Sequence, residues 1–428
     1  MGIEKLIKKL SDEHGEILSL LQLIQGSETN AWLVGGCLRD ALLERDLFDL
    51  DIAVAGDPTP LAKQWSGETG GRWFWLDEER CQSRVLTATR LTVDFAPLRA
   101  PNIEADLALR DFRVNAMALS LATDVSSAEL IDPLHGQDDL RQGELCFCSE
   151  RSPIDDPLRM LKGVRHAVCL PLTLESQSLN LIVRHADLIK NVAGERICDE
   201  LRKIFESDKA VEGFQLLSRT ALLRELFGPG RKGYSELDTF SDLSRLDQQL
   251  KSSALAAEAE AVRCESFDCR ALFLLATFLR AYASEDLAKL IHDRLHMSRQ
   301  QERIILSLQQ KPQESWFDLV DRVQTSRQQA LLVEQLGYFP SEQLLYWALY
   351  DQSVPTEKGQ ELLNAFYAYQ KLGRIPDLCS GHQLKELLHD KPDKEIGQWQ
   401  KLVKKAELNG VVNNQNDAFT WLKEQISN

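Results

Sequence analysis

The spacing of apolar positions divides the chain near residue 155. Before that point, apolar residues fall in short runs rich in Val, Ile, Thr and aromatic side chains, which are typical of β-strands. We predict strands at Trp32–Val34, Leu50–Val54, Arg72–Leu76, Arg84–Ala88, Leu91–Phe95 and Val114–Leu121. After it, apolar residues recur every third or fourth position, which indicates helices. These are expected near 155–169, 175–191, 194–206, 209–218 and 269–283.

The segment from Val34 to Asp51 carries the most chemical information. Gly35 and Gly36 precede a predicted helix, and glycine lets the backbone approach a ligand while a helix N-terminus offers N–H groups to phosphate. Side chains alternate along a strand, so Asp49 and Asp51 share one face. Two such carboxylates can hold Mg²⁺ ions about 3.5–4 Å apart, the spacing of two-metal phosphoryl transfer. This order of features indicates a nucleotidyl-transfer site.

Five motifs in order resemble the class II tRNA nucleotidyltransferase and bacterial poly(A) polymerase family, within the polymerase-β-like superfamily. The first, Gly-Gly-x-x-Arg-Asp followed by Asp-x-Asp, is met by Gly35, Gly36, Arg39, Asp40, Asp49 and Asp51. The others are similar to the segments Leu109–Ala116, Asp132–Leu140, Asp155–Lys162 and Glu195–Leu201. The resemblance implies an α+β fold, with a mixed or antiparallel sheet in a nucleotidyltransferase head at 1–150. An all-α neck (151–206), body (207–370) and tRNA-contacting tail (371–428) would follow.

The resemblance also assigns roles to individual residues. Asp49 and Asp51 would be the catalytic ligands of Mg²⁺, with Asp94 as a third candidate ligand or, alternatively, an outward polar residue of its strand. Arg39 would pair with triphosphate oxygens, the alternative being an ion pair with Asp40. The full set implied to bind the nucleotide is Gly35, Gly36, Arg39, Arg110, Asp111, Asn115, Asp156, Arg159, Lys162 and Arg165.

The fourth motif is the one implied to select the base. Asp156 and Arg159 are three residues apart and share a helix face, so an Asp acceptor and an Arg donor can read the edge of one incoming base. The alternative is an ordinary salt bridge at the start of a helix. The family's Glu and second Arg are replaced here by Asp155 and Lys162, and Arg113 stands where Thr is usual. Arg113 is either a surface substitution or an extra phosphate contact.

Before the second motif, only the short segment Arg99–Ile103 separates the strand Asp94–Leu98 from Glu104–Leu107. In the family, a short loop at this place is associated with enzymes that add CC rather than CCA. We therefore expect addition of C residues to tRNA 3′ ends from CTP. The alternatives are full CCA addition or A addition with ATP as a substrate, a poly(A) polymerase, and an inactive RNA-binding homologue.

Composition adds limits. The net charge is −15, and residues 1–150 hold 14 Lys and Arg against 26 Asp and Glu, which suits metal binding better than RNA contact. No apolar run is long enough to span a membrane, and Met1–Leu10 predicts an amphipathic helix rather than a signal peptide, so a cytoplasmic protein is expected. The nine cysteines form no Cys-x-x-Cys pair, so neither disulfides nor zinc are expected. The sequence identifies no protein partner.

Overall fold

The computed structural model describes residues 15–46, 49–121, 130–228, 235–264, 267–281, 284–373, 375–388 and 393–427. The helix predicted at Met1–Leu10 lies outside the described residues. The chain forms two compact units, Met1–Gly228 and Pro229–Asn428. The finer division into head, neck, body and tail stays a prediction.

The first unit is built on a mixed sheet. Its described strands are β1 (Ala31–Val34), β2 (Asp49–Val54), β3 (Arg72–Asp77), β4 (Gln82–Leu86), β5 (Thr92–Pro97), β6 (Ala118–Ser120) and β7 (Leu130–Ile131). Their order across the sheet is β3-β4-β5-β2-β1-β6-β7. Strands β2 and β5 run parallel, whereas their other neighbours pair antiparallel. The predicted mixed sheet is confirmed.

Helices cover this sheet and extend the unit beyond it. They are α1 (Glu16–Gln25), α2 (Gly36–Leu42), α3 (Thr59–Thr69), α4 (Ile103–Ala108), α5 (Gly136–Gln142), α6 (Ser152–Asp155), α7 (Leu158–Cys169), α8 (Ser176–His185), α9 (Gly194–Glu206), α10 (Ala210–Arg219) and α11 (Leu222–Phe227). A two-stranded parallel ladder joins β8 (Glu144–Leu145) to β9 (Thr173–Leu174).

The two faces of the sheet pack against different helices. One face packs against α1 and α3 in an apolar core that includes Ile24, Ile52, Trp65, Val93 and Phe95. On the other face a smaller core, which includes Val34, Ala53 and Leu107, holds α4 against the β1 side of the sheet. Alternation places the predicted metal ligands of β2 on this second face, because the intervening Leu50 and Ile52 belong to the first core.

The second unit is helical apart from a small ladder between β10 (Arg263–Cys264) and β11 (Phe267–Asp268). Its described helices are α12 (Glu236–Ser252), α13 (Ala256–Ala261), α14 (Cys269–Leu279), α15 (Ser284–Lys289), α16 (Arg299–Gln309), α17 (Glu314–Val320), α18 (Ser326–Glu334), α19 (Pro340–Tyr350), α20 (Thr356–Gln370), α21 (Gly381–Leu387), α22 (Asp393–Leu408) and α23 (Gln415–Ser427). Among the described residues, no helix is both long and apolar enough to cross a membrane.

Two predicted elements differ in detail from the observed ones. The predicted strand Val114–Leu121 begins as a 3₁₀ turn at Arg113–Asn115, and only Ala118–Ser120 pairs in the sheet. The predicted helix near 155–169 is interrupted, since Asp156 is extended and Pro157 precedes α7. A residue before proline is biased away from the helical region, which explains the break.

Candidate functional site

A cleft of about 350 Å³ opens in the first unit, where strands β2 and β5 meet the start of α7. It brings together residues that are far apart in the sequence and that were singled out separately. Its lining includes Asp51, Asp94, Arg110, Asp111, Asp156, Arg159 and Lys162. The fold therefore places Asp51 and Asp94, two of the three predicted metal ligands, and the predicted base-selecting pair around one cavity, whereas Asp49 is not among its lining residues.

Asp51 lies on the floor of the cleft. In register it stands between Val34 of β1 and Asp94 of β5. Gly35 allows this approach: its φ is +82°, and a Cβ there would lie 2.7 Å from Asp51 Oδ2. Solvent reaches Asp51 through the open cleft, yet burial by protein atoms and the nearby charge of Asp94 raise its pKa to about 6. Concentrated negative charge of this kind is what a divalent cation neutralises.

Asp94 has a partner already. Its two carboxylate oxygens accept from Arg84 Nε at 2.6 Å and Arg84 Nη2 at 2.8 Å. The two residues face each other across β4 and β5, which explains the bidentate geometry. Asp94 is therefore placed beside Asp51 as a metal ligand should be, but its oxygens are engaged by a guanidinium.

Arg39 is buried rather than open to the cleft. Its Nε and Nη2 donate to the two carboxylate oxygens of Asp40 at 3.0 and 2.7 Å, and its Nη1 donates to Asn115 Oδ1 at 2.7 Å. Asn115 Nδ2 in turn donates to Asp111 Oδ1 at 3.1 Å. The first two motifs are thus joined by a continuous chain of hydrogen bonds.

Asp111 is the charged end of that chain. Burial opposes its ionisation. The positive charge of Lys162, with the hydrogen bonds from Asn115 and the Phe112 N–H, outweighs burial and holds the pKa of Asp111 below its ordinary value. Lys162 Nζ lies 3.8 Å from Asp111 Oδ2. The residue that replaces the family's Arg therefore faces the second motif.

Arg110 is positioned by a carboxylate that the sequence analysis missed. Asp106 Oδ2 accepts from Arg110 Nη2 at 3.2 Å, and Asp106 Oδ1 accepts from the N–H and Nε of Arg99 at 2.9 and 3.1 Å. Asp106 is 1% exposed. It lies one helical turn before Arg110, and that spacing was the available indication of a pair.

Asp156 and Arg159, which were predicted to select the base, pair with other groups rather than with each other. Asp156 Oδ1 accepts from the Leu158 N–H at 3.2 Å, and Asp156 Oδ2 pairs with Arg196 Nη2 at 3.1 Å. Arg159 donates to the backbone carbonyls of Leu109 at 2.8 Å and Arg110 at 3.1 Å. Both side chains line the cleft, and these partners account for their orientation.

The fifth motif supports the fourth. Arg196 and Glu200, one turn apart on α9, pair respectively with Asp156 and Arg165 of the neighbouring segment; the second pair joins Arg165 Nε to Glu200 Oε2 at 2.6 Å. The sequence analysis quoted this motif without a role for these two side chains. Their contacts show that the motif fixes the direction of residues on and before α7.

The third motif packs against the second. Asp132 accepts the N–H groups of Gly136 and Gln137 at 2.7 and 2.9 Å and thereby caps α5. A Cβ at Gly136 would lie 2.2 Å from the Arg113 carbonyl oxygen, so this position requires glycine. The Arg113 side chain points to Asp139, with Nη1 3.9 Å from Oδ1. Of the two alternatives for Arg113, this pairing favours a surface substitution over an extra phosphate contact.

Asp139 belongs to a second group of potential ligands outside the cleft. The potential ligand atoms of this group, one from each residue, lie within 4.8 Å of one another; the residues are Asp139, Glu144 and Cys146. Burial raises the pKa of the Asp139 carboxyl, although the Cys146 thiol and Arg113 offset part of this effect. Burial likewise raises the pKa of Cys146 to about 12. These groups connect α5 to the segment after it.

Comparison with known proteins shows which family this chain resembles. The model of the poly(A) polymerase head domain matches residues 31–146, and that of the probable RNA and SrmB-binding site of polymerase A matches 171–232. A CC-adding tRNA nucleotidyltransferase of Geobacter sulfurreducens is 32% identical over 423 residues, covering 93% of this chain and 92% of the relative. Another, from Synechocystis sp., is 28% identical and covers 92% of this chain and 93% of its own.

Other similarities extend to A-adding enzymes and to solved structures. An A-adding tRNA nucleotidyltransferase of Deinococcus radiodurans is 38% identical over 222 residues, covering 49% of each chain. An apo CCA-adding enzyme superimposes with a TM-score of 0.76 at 21% identity, over 99% of this chain and 97% of that one. The Thermotoga maritima CCA-adding enzyme complexed with tRNA gives a TM-score of 0.71 at 22% identity, over 99% of both chains. The chain therefore belongs to the class II tRNA nucleotidyltransferase and poly(A) polymerase family.

Proposed function

We propose that this nucleotidyltransferase adds two C residues from CTP to the 3′ end of tRNA, releases pyrophosphate at each step, and stops before the terminal A. The tRNA substrate is proposed from the activities of its relatives, several of which are CC-adding enzymes. The same substrate suggests a cytoplasmic location. The limit to CC rests on one observation, the form of the connection between β5 and α4.

That connection is short and tied down along its length. It comprises residues 98–102, between Pro97 and Ile103. The Leu98 N–H donates to the Val54 carbonyl at 2.9 Å, Arg99 is held by Asp106, and Asn102 accepts from the Ala105 N–H at 2.9 Å as the N-cap of α4. A segment with these constraints cannot act as a lever on α7. A pocket that cannot be reset after two additions keeps its geometry for C.

Enzymes of this family use divalent metal. We propose Mg²⁺, held by Asp49 and Asp51, with Asp94 as a further ligand once Arg84 releases it. Carboxylate oxygens are the donors that this ion prefers, and the raised pKa of Asp51 reflects crowding of negative charge that a cation would relieve. When bound, the metal would lower the pKa of the primer 3′-hydroxyl and neutralise charge on the triphosphate.

The remaining residues would bind and orient the nucleotide. Arg110 and Lys162 line the cleft and supply positive charge for the triphosphate, whereas the contacts of Arg39 support a positioning role through Asn115. Asp156 and Arg159 would read the base edge, with Arg196 and the carbonyls of Leu109 and Arg110 fixing their directions. Because these contacts hold both side chains in one orientation, one pair would select one base.

The test is extension of a tRNA that ends at its discriminator base, with CTP alone, ATP alone, or both. The expected product with both nucleotides is tRNA-CC, and an Asp51→Asn variant purified in the same way controls for contaminating activity. Efficient A addition to tRNA-CC would instead show CCA or A addition, and repeated A addition to unstructured RNA a poly(A) polymerase. No addition under any condition would leave an inactive RNA-binding homologue. A variant with a longer polar insert between Arg99 and Glu104 tests whether the short connection prevents addition of the terminal A. If it does, this variant should add A to tRNA-CC.

A further inference from the structure

The face of the sheet that carries the catalytic carboxylates continues beyond them as an exposed apolar surface. Residues paired directly across a sheet point to the same face. Asp51 pairs with Asp94, Asp94 with Arg84, and Arg84 with Phe74. Phe74 on β3 therefore looks out on the same side as the metal ligands, three strands away. At an inter-strand spacing of about 4.8 Å, the separation is about 14 Å.

Phe74 is accompanied by two other exposed apolar side chains. Leu86 on β4 pairs with Thr92, which pairs with Asp49, so Leu86 shares this face. Leu76 follows Phe74 by two residues along β3. Phe74, Leu76 and Leu86 are 42%, 47% and 37% exposed. We call these three residues the β3–β4 strip. Large apolar side chains grouped on a surface commonly mark a binding site.

The other face of β3 behaves as a core face should. Trp73 packs against the apolar core beneath the sheet, and its ring lies 4.8 Å from that of Trp75 in an edge-to-face arrangement. β3 thus carries aromatic side chains on both faces, but only the face with Trp73 packs against the core. Packing in the core therefore does not explain why an aromatic residue stands at Phe74.

The strip is continuous with the catalytic cleft and lies on one particular side of it. Leu76 lines the cleft together with Asp51 and Asp94. The groups proposed to bind the nucleotide lie toward β1, since a Cβ at Gly35, directly after β1, would be 3.4 Å from Arg110 Nη1. Asp94, Arg84 and the strip lie on the opposite side of Asp51, toward β3.

The chemistry of nucleotidyl transfer requires the two substrates to approach from opposite sides. The attacking 3′-oxygen and the leaving pyrophosphate are in line at the α-phosphorus, so the primer cannot share the side that holds the triphosphate. An unpaired RNA end also needs what the strip offers, namely apolar and aromatic surface for its bases with basic groups beside it. Arg72, which pairs with Leu86 across the ladder, supplies that charge.

We propose that the β3–β4 strip binds the unpaired 3′ end of the acceptor strand, with a base stacked on Phe74. This inference rests on the proposed function, because it places the RNA substrate of the same reaction. It adds a positioning residue for the primer that lies outside the five motifs. The strip would hold the terminal nucleotides so that the 3′-hydroxyl reaches the carboxylates.

The experiment uses full-length protein and a tRNA that carries 2-aminopurine at the discriminator position, whose fluorescence is quenched by stacking. The variants are Phe74→Leu, which keeps an apolar side chain without a ring, and Phe74→Tyr, which keeps the ring. Leu18→Ala is the matched control, since Leu18 is 48% exposed on α1, over the opposite face. Melting temperatures establish that each variant is folded.

We expect Phe74→Leu to relieve the quenching and to raise the KM for tRNA roughly tenfold, as loss of one base–aromatic stack predicts. The KM for CTP at saturating tRNA should stay at the wild-type value, and Phe74→Tyr and Leu18→Ala should resemble wild type in every readout. A merely structural role for Phe74 would lower the melting temperature without separating the two KM values.

Two results would overturn the proposal. One is unchanged quenching and an unchanged KM for tRNA in Phe74→Leu. The other is a wild-type dimer that Leu76→Lys dissociates while the KM for tRNA stays constant, which would assign this sheet edge to protein association. If the wild type adds no nucleotide, the proposed CC addition fails, whereas the quenching in the RNA complex still decides the role of the strip.

Discussion

Replacing Asp106 by Asn should loosen α4 and misplace Arg110. Burial opposes the charge of Asp106, but the hydrogen bonds from Arg99 and the charge of Arg110 outweigh it and hold the pKa of Asp106 below its usual value. An Asn cannot satisfy three donors with one oxygen, and its amide N–H groups would face the guanidinium of Arg110 or that of Arg99 in place of an acceptor. Breaking a buried ion pair by removing one partner typically costs about 3–5 kcal/mol. Because the Arg99 side chain is 45% exposed, we expect the low end, about 3 kcal/mol.

Hydrogen–deuterium exchange of peptides spanning residues 98–112 measures this locally. At about 1.36 kcal/mol per tenfold, 3 kcal/mol corresponds to roughly 150-fold faster opening. Glu104→Gln is the matched control, because Glu104 is an exposed carboxylate on the same helix and should show wild-type exchange. The KM for CTP should rise in Asp106→Asn, since Arg110 loses the carboxylate that orients it.

The pH dependence supplies a second check. A carboxyl whose pKa is lowered by folding contributes stability above its unfolded pKa, about 3.9, and loses that contribution as the pH falls. The difference between wild type and Asp106→Asn should therefore be full at pH 7 and should shrink below about pH 4. Wild-type exchange in Asp106→Asn at pH 7, or a difference that persists undiminished in acid, would refute the reasoning.

Three further outcomes are expected. Gly136→Ala should cost about 3 kcal/mol of unfolding free energy, because its Cβ would meet a backbone carbonyl oxygen at 2.2 Å, whereas Gly67→Ala, with nothing within 4 Å, should be neutral or slightly stabilising; equal melting temperatures for the two variants would contradict this. Asp51→Asn should abolish nucleotide addition and retain tRNA binding. Because the pKa of Asp51 is raised to about 6, the folded wild type is destabilised by this charge at higher pH, so the variant should melt at a higher temperature than metal-free wild type above pH 6. This difference in melting temperature should vanish toward pH 4. Arg159→Ala should lower the CTP:UTP selection ratio by a factor equivalent to about 1–3 kcal/mol, while the exposed Arg151→Ala should not, and uniformly slower addition at an unchanged ratio would count against base reading.

The chemical groups of this candidate site could be predicted from the sequence, because short local patterns indicate them. Two glycines before a helix and an Asp-x-Asp on a strand each constrain backbone and side-chain direction over a few residues. The helical character after residue 155 and most strands of the sheet were likewise readable from apolar spacing, which reports burial on one face. The family assignment followed from the order of such local patterns.

The pairing of distant charges could not be read in this way, since it depends on which elements fold together. Local spacing suggested Arg39 with Asp40 and Asp156 with Arg159; the first pair forms, but the second gives way to Arg196 and to backbone carbonyls. Asp94 pairs with Arg84 because β4 and β5 pair in one register. Asp106 pairs with both Arg99 and Arg110 because α4 packs on the sheet. The sequence determined which chemical groups the protein possesses and in which local geometry, whereas the tertiary structure decided which charges neutralise one another and which surface, such as that around Phe74, is left uncovered.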